Sequence, residues 1–141
     1  MKSTLFLLSC GLAWGACANP PYANGYTYCR ELVIDHTKVP STQTNFPMVV
    51  CFDATMGANC SANALELATV AHGGALINAS GYDFIFTSDN AGSTPIAYER
   101  AIQNTTTGAA ELWVLIASLS SSADTKIYLF YQNVLVTTDQ S

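Results

Sequence analysis

Five cysteines carry the most definite chemistry in this chain. Cys10 and Cys17 lie in an apolar N-terminal stretch, and Cys29, Cys51 and Cys60 follow it. A thiol can pair, ligate a metal or attack a substrate, and its neighbours decide which. His36 and His72 are the only histidines. Neither has a second histidine or a cysteine at metal-ligand spacing, so no zinc site can be written and each is expected to be an ordinary surface histidine. The chain also lacks a G-x-S-x-G elbow, a phosphate-cradling loop and a dinucleotide fingerprint. Pairing is the chemistry that remains, and it needs an oxidising compartment.

The carboxylates Asp35, Asp53, Asp83, Asp89, Glu99, Glu111 and Asp124 mostly fall at the ends of strand-like runs. Such positions are usually solvated, and glycoside hydrolysis needs two carboxyl groups at a set separation. No catalytic residue, metal or cofactor is therefore expected. The turn Asp89, Asn90, Gly92 offers oxygens to calcium, but it lacks the Asp/Asn alternation and distal Glu of an EF-hand loop, so a plain hairpin turn is expected. Three Asn-x-Ser/Thr sites, Asn59, Asn78 and Asn104, are candidates for glycosylation if the host uses this motif.

The N-terminal segment supplies the compartment. Lys2 is followed by the apolar run from Leu5 to Trp14, then by Ala16, Cys17 and Ala18 ahead of Asn19 and Pro20. This is the pattern of a secretory signal peptide cut after Ala18. The apolar run is far short of the roughly 20 residues that span a bilayer. Lipidation at Cys10 or Cys17 is a weaker alternative, because Leu8 and Trp14 fit poorly just ahead of a lipidated cysteine. Loss of residues 1–18 leaves Cys29, Cys51 and Cys60, an odd set. Cys51 and Cys60, nine apart, are the expected bridge; Cys29 with Cys51 is the rival pair. On the first pairing Cys29 becomes a free or intermolecular thiol.

Only 11% of residues are charged and 50% are hydrophobic, against roughly 25% charged in ordinary soluble domains. With a net charge of −5 and five scattered basic residues, a nucleic-acid role is excluded. The mature chain has a period of two. Runs at 28–35, 46–53, 82–88, 95–102, 110–118 and 126–131 are rich in Val, Ile, Phe, Tyr and Trp, and polar turns separate them. They predict one all-β domain, an antiparallel β-sandwich of jelly-roll or immunoglobulin-like kind, over residues 28–133. Residues 19–27 read as an extended arm and 134–141 as a last strand or tail. The spacing of Leu65, Ala68 and His72 predicts one short helix over 63–72, capping an end of the sandwich.

Several short sequences recur in a familiar order: Tyr28, Arg30 and 32–35; Phe46, Pro47, Val49, Val50; 82–87; Tyr98, Glu99; Trp113, Val114, Ser118, Leu119; and Asp124, Thr125, 127–129, Tyr131, Asn133. Together they resemble the bacterial and archaeal domain-of-unknown-function family 2341. The resemblance implies an extracellular β-sandwich module of the sort found beside concanavalin-like lectin domains or fused to proton-channel proteins. It implies no catalytic residue. The family usually has a polar or basic residue where Ile85 and Leu115 stand, a hydroxyl where Val33 and Cys51 stand, and a glycine where Gln132 stands.

Residues two apart share a face of a strand. Leu32, Ile34, Val50, Phe52, Phe84, Phe86, Val114 and Ile116 thus form an inward set, and Cys29, Val33, Val49, Cys51, Ile85, Trp113 and Leu115 an outward one. An outward face so apolar should be covered. Candidate covers are the 19–27 arm or the helix, a second copy or surface partner protein, or a glycan stacked on Trp113 or on tyrosines. The expected function is a secreted, non-catalytic module for self-assembly or adhesion at the cell surface. A carbohydrate-binding module is the alternative, and a glycan hydrolase the weaker one.

Overall fold

A computed structural model of the chain describes residues 17–52, 60 and 65–141. The protein is an antiparallel β-sandwich. Its strands are β1 (Tyr28–Ile34), β2 (Gln43–Phe52), β3 (Phe84–Thr87), β4 (Pro95–Ile96), β5 (Tyr98–Gln103), β6 (Ala110–Leu119) and β7 (Thr125–Tyr131). One sheet has the order β1-β7-β3-β4 and the other β2-β6-β5. The chain changes sheet between β1 and β2, β2 and β3, β4 and β5, and β6 and β7.

The alternating pattern explains this layering. In β6 the residues Leu112, Val114 and Ile116 are buried, while Trp113 and Leu115 between them are exposed. Leu32, Ile34, Val50, Phe52, Phe84 and Phe86 point into the same core, as their spacing predicts. An aromatic trio ties the two sheets together. Tyr98 of β5 lies 5.2 Å from the Phe84 ring and 5.3 Å from the Phe86 ring. Its hydroxyl donates to the Phe84 carbonyl at 3.0 Å, so burial leaves no polar atom stranded.

The predicted helix over 63–72 is not an α-helix. Residues 63 and 64 lie outside the described residues, and the rest forms 3-10 turns at Leu65–Leu67 and Val70–His72. Thr69 interrupts it with an extended backbone that bridges to Leu76, while its N–H donates to the Thr105 carbonyl at 2.8 Å. The segment still caps the core, since Leu67, Ala68 and Leu76 are fully buried. Residues 134–141 form no strand; they are a turn and a tail.

Two disulfides are present, Cys51–Cys60 and Cys17–Cys29. The first is the expected bridge. The second corrects the expectation that Cys29 is free or joins another molecule. The leader proposed for 1–18 lies outside the described residues up to 16. Cys17 and Ala18 are described, and both are built into the domain.

Candidate functional site

The outward residues predicted from sequence divide between the two sheets, and the two faces differ. On the first sheet, the outer face of the central strand β7 carries Tyr128 and Phe130, both buried. Residues 17–27 lie over it. Tyr26, Tyr128 and Phe130 form a second apolar cluster, with Cys17, Tyr22, Cys29, Ile85 and Val136 packed against it. Tyr22 meets Phe130 edge to face at 5.0 Å. The backbone fixes the arm at both ends: Ala18 N–H donates to the Asn90 carbonyl and Thr27 N–H to the Gln132 carbonyl, each at 2.9 Å. Between them Asn24 donates to the Gly92 carbonyl at 3.2 Å. Gly92 has φ +78° and no room for a Cβ, which would stand 2.0 Å from the Asn24 amide nitrogen. Burial pushes the Tyr26 phenol up to about 12, and the charge of Asp83 adds to the shift.

On the second sheet no such arm exists among the described residues. Trp113 and Leu115 of the central strand β6 are 41% and 42% exposed. Pro47 of β2 pairs with Leu115, and Val49 with Trp113, so four uncharged side chains form one patch. Proline is tolerated there because β2 is an edge strand, with no neighbour on that side among the described residues. Glu99, opposite Trp113 on β5, and Glu111, two residues along β6, put carboxylates beside the indole. Cys51 lies on this face at the register of Glu111 and is closed by its bond to Cys60. Val33 is partly buried on the first sheet, opposite Lys126 and away from this patch.

A groove opens where the first sheet meets the capping segment. Its volume is about 280 Å³, and Tyr28, Glu66, Gly73, Gly74, Ala75, Tyr131 and Gln132 line it. Tyr28 and Tyr131 are cross-strand partners with rings stacked 5.4 Å apart, and Tyr28 stays 47% exposed. Glu66 is held at 2.6 Å by Arg30. Burial, then the Glu66 charge, raises the Tyr131 phenol. Gln132 has φ +67°, a conformation that L side chains rarely adopt, and its amide donates to the Ala75 carbonyl at 2.9 Å.

No protein-family model, curated protein or solved structure matches this chain.

The remaining candidates do structural work. Asp35, His36 and Asp124 come together with possible ligand atoms within 4.8 Å, a cluster the sequence spacing does not reveal because Asp124 is distant in the chain. Their bonds turn inward, however. Asp124 Oδ1 accepts from the His36 N–H at 3.0 Å and sits 2.6 Å from its Nδ1, while Asp35 accepts from the Thr37 N–H and hydroxyl. These bonds lower both carboxyls, those to Thr37 acting on Asp35 and those to His36 on Asp124. The cluster fastens the β6–β7 connection, which crosses between the sheets, to the end of β1. Asp89 closes its own turn, accepting from the N–H groups of Ala91, Ser93 and Thr94. Partial desolvation opposes its charge, but the bonds from Ser93 and Thr94 prevail and hold the carboxyl at about 2. Asp83, fully buried, accepts from the N–H groups of Ile77 and Asn78. His72 is exposed and hydrogen-bonds Thr69 at 2.8 Å. Asn104 is exposed in its turn, Asn78 donates its amide to the Val136 carbonyl at 3.3 Å, and Asn59 and Asp53 lie outside the described residues.

Proposed function

We propose that this protein is a secreted, non-catalytic cell-surface module that adheres through the outer face of its second sheet to a protein partner. The observation that carries this is the pairing of Pro47 with Leu115 and Val49 with Trp113 on a flat face that the described residues leave open. Exposed indole in an aliphatic patch is the composition of an interface anchor. The rim argues for the partner's character. Glu99 and Glu111 flank Trp113, so two copies apposed through this face bring their carboxylates together, whereas a partner rimmed with Lys or Arg meets them with opposite charge. Two disulfides fit the oxidising compartment that a surface role needs. Among the described residues no helix is long and apolar enough to cross a membrane. The non-catalytic reading draws on the carboxylates: Asp35, Asp83, Asp89 and Asp124 are each spent on local hydrogen bonds, and Glu31, Glu66 and Asp139 on ion pairs with Lys126, Arg30 and Arg100.

The test compares wild type with a Trp113→Ser, Leu115→Ser double variant, using labelled protein and envelopes of the producing cells. Saturable binding that weakens with salt, and falls by more than about tenfold in the variant, is the expected result. Equal binding by both proteins overturns the reading. A concentration-dependent dimer of the wild type, absent in the variant, moves the partner to a second copy.

A second reading, saccharide binding, rests on the groove at Tyr28 and Tyr131. Stacked phenol rings offer an apolar platform for a sugar ring, and Glu66 and Gln132 offer polar atoms to its hydroxyls. The strained Gln132 lies at this groove, and strain is commonly retained where a site uses it. A glycan array probed with wild type and Tyr28→Ala checks this; identical profiles remove it.

A further inference from the structure

We infer that the leader is removed between Gly15 and Ala16, not after Ala18, so that the mature chain keeps Cys17 and has no unpaired cysteine. The inference rests on the secretory reading above and moves its cut. A chain beginning at Asn19 lacks Cys17 and Ala18, yet the fold uses both. Cys17 is bonded to Cys29 and packs against the cluster of Tyr26, Tyr128 and Phe130. Ala18 donates its backbone N–H to the Asn90 carbonyl at 2.9 Å, joining the arm to the turn between β3 and β4. Removing them leaves Cys29 as a thiol on the outer face of the first sheet, without its partner.

Cysteine parity points the same way. Cys17, Cys29, Cys51 and Cys60 all pair, and Cys10 is the one cysteine left, inside the apolar run of the leader. A cut between residues 10 and 17 therefore divides the cysteines into one discarded and four paired. Within that window the small-x-small rule for leader removal is met by Ser9 to Gly11, Gly11 to Ala13 and Ala13 to Gly15; the first two would cut inside the apolar run that ends at Trp14, and only the third cuts after it. A cut after Ala16 instead puts Trp14 two residues upstream of the residue at the cut, where the rule demands a small side chain. The chemistry balances simply. Water hydrolyses the Gly15–Ala16 peptide bond to a carboxylate and a new amine. Cys17 and Cys29 then lose two protons and two electrons to a thiol–disulfide oxidoreductase of the compartment, whose own disulfide becomes a dithiol.

The two steps together explain what the arm is for. Residues 17–27 cover apolar residues on β7, and a bond from the arm's start to Cys29, the second residue of β1, stops its free end from peeling away. Intact mass spectrometry of protein collected from the medium or periplasm, alkylated before and after reduction, is the test. The expected species begins at Ala16, takes no alkyl group before reduction and four after it. Gly15→Leu should slow its release, and Ala18→Leu should leave the cut where it is. A species beginning at Asn19 with Cys29 alkylated before reduction overturns the inference while leaving secretion intact. A diacylglyceryl mass on Cys17 overturns it too. A chain that keeps Met1 and stays in the cytoplasm overturns the secretory reading itself.

Discussion

Phe130 and Trp113 stand on the central strands of their sheets, both pointing away from the core, and only Trp113 meets solvent. Phe130 is fully buried because residues 17–27 run across it and a disulfide anchors their start; Trp113 is 41% exposed in a patch of similar composition. The same alternation that fills the sandwich also creates two apolar outer faces. A domain this size can protect one of them with its own chain at little cost, since an arm held by a disulfide loses less entropy on docking. Among the described residues the other face stays open with an apolar centre, which distinguishes a face used for stability from one that could make contact.

The largest effect should come from the covered face. Phe130→Ala removes a ring from between the arm and the sheet and should cost about 3–5 kcal/mol, measured by denaturant unfolding. A cost below about 1 kcal/mol means the arm does not hold this face shut. Next in size is the anchor. Replacing Cys17 and Cys29 together by Ser should cost about 2–3 kcal/mol, with the loss reproduced by reducing that bond alone. Proteolysis of the double variant should begin within residues 17–27, before any cut in the strands.

Alkali should act on the covered face and not on the Trp113 patch. The ordinary tyrosine value is 10.0, and that of Tyr26 is raised to about 12. A raised acid is neutral in the fold, so its contribution is complete below pH 10 and drains away as pH climbs from 10 toward 12. Tyr26→Phe should flatten this loss. The Trp113 patch carries no phenol, and its indole fluorescence should not follow the same curve. Asp89 sets the acid limit with the opposite sign: its value is lowered to about 2, so its turn is supported above about pH 4 and loosens as pH falls toward 2.

Much of the fold was legible because burial imposes a period on strands. Leu32, Ile34, Val50, Phe52, Phe84, Phe86, Val114 and Ile116 could be placed in the core from spacing alone, and all but Ile116, at 3%, are essentially inaccessible. The helix failed because Thr69 takes an extended backbone, satisfied by Thr105 and Leu76, contacts far along the chain that no local window contains. Cys29 was misjudged for a different reason. Counting thiols requires knowing where the chain starts, and Ala16-Cys17-Ala18 looks like a cut when only small residues are weighed. The groove was invisible in sequence because Tyr28 and Tyr131 meet only through strand register. Gln132, which lines it, has a φ of +67° that its residue type does not announce. Gln132→Gly should relieve about 1 kcal/mol of strain, less the lost bond to Ala75, so its net effect on stability should be small.

The smallest stability effect is the one that sharpens the contrast most. Trp113→Ser removes an indole already partly in water, leaves the β6 backbone paired with β2 and β5, and should shift unfolding by less than about 1 kcal/mol. Leu115→Ser should behave alike, because its partner Pro47 is also exposed. If the open face were a cryptic part of the core, these variants would approach the cost of Phe130→Ala. A near-neutral result in the unfolding curve, together with loss of envelope binding, separates the two faces by what each is for: one holds the sandwich together and the other meets a partner.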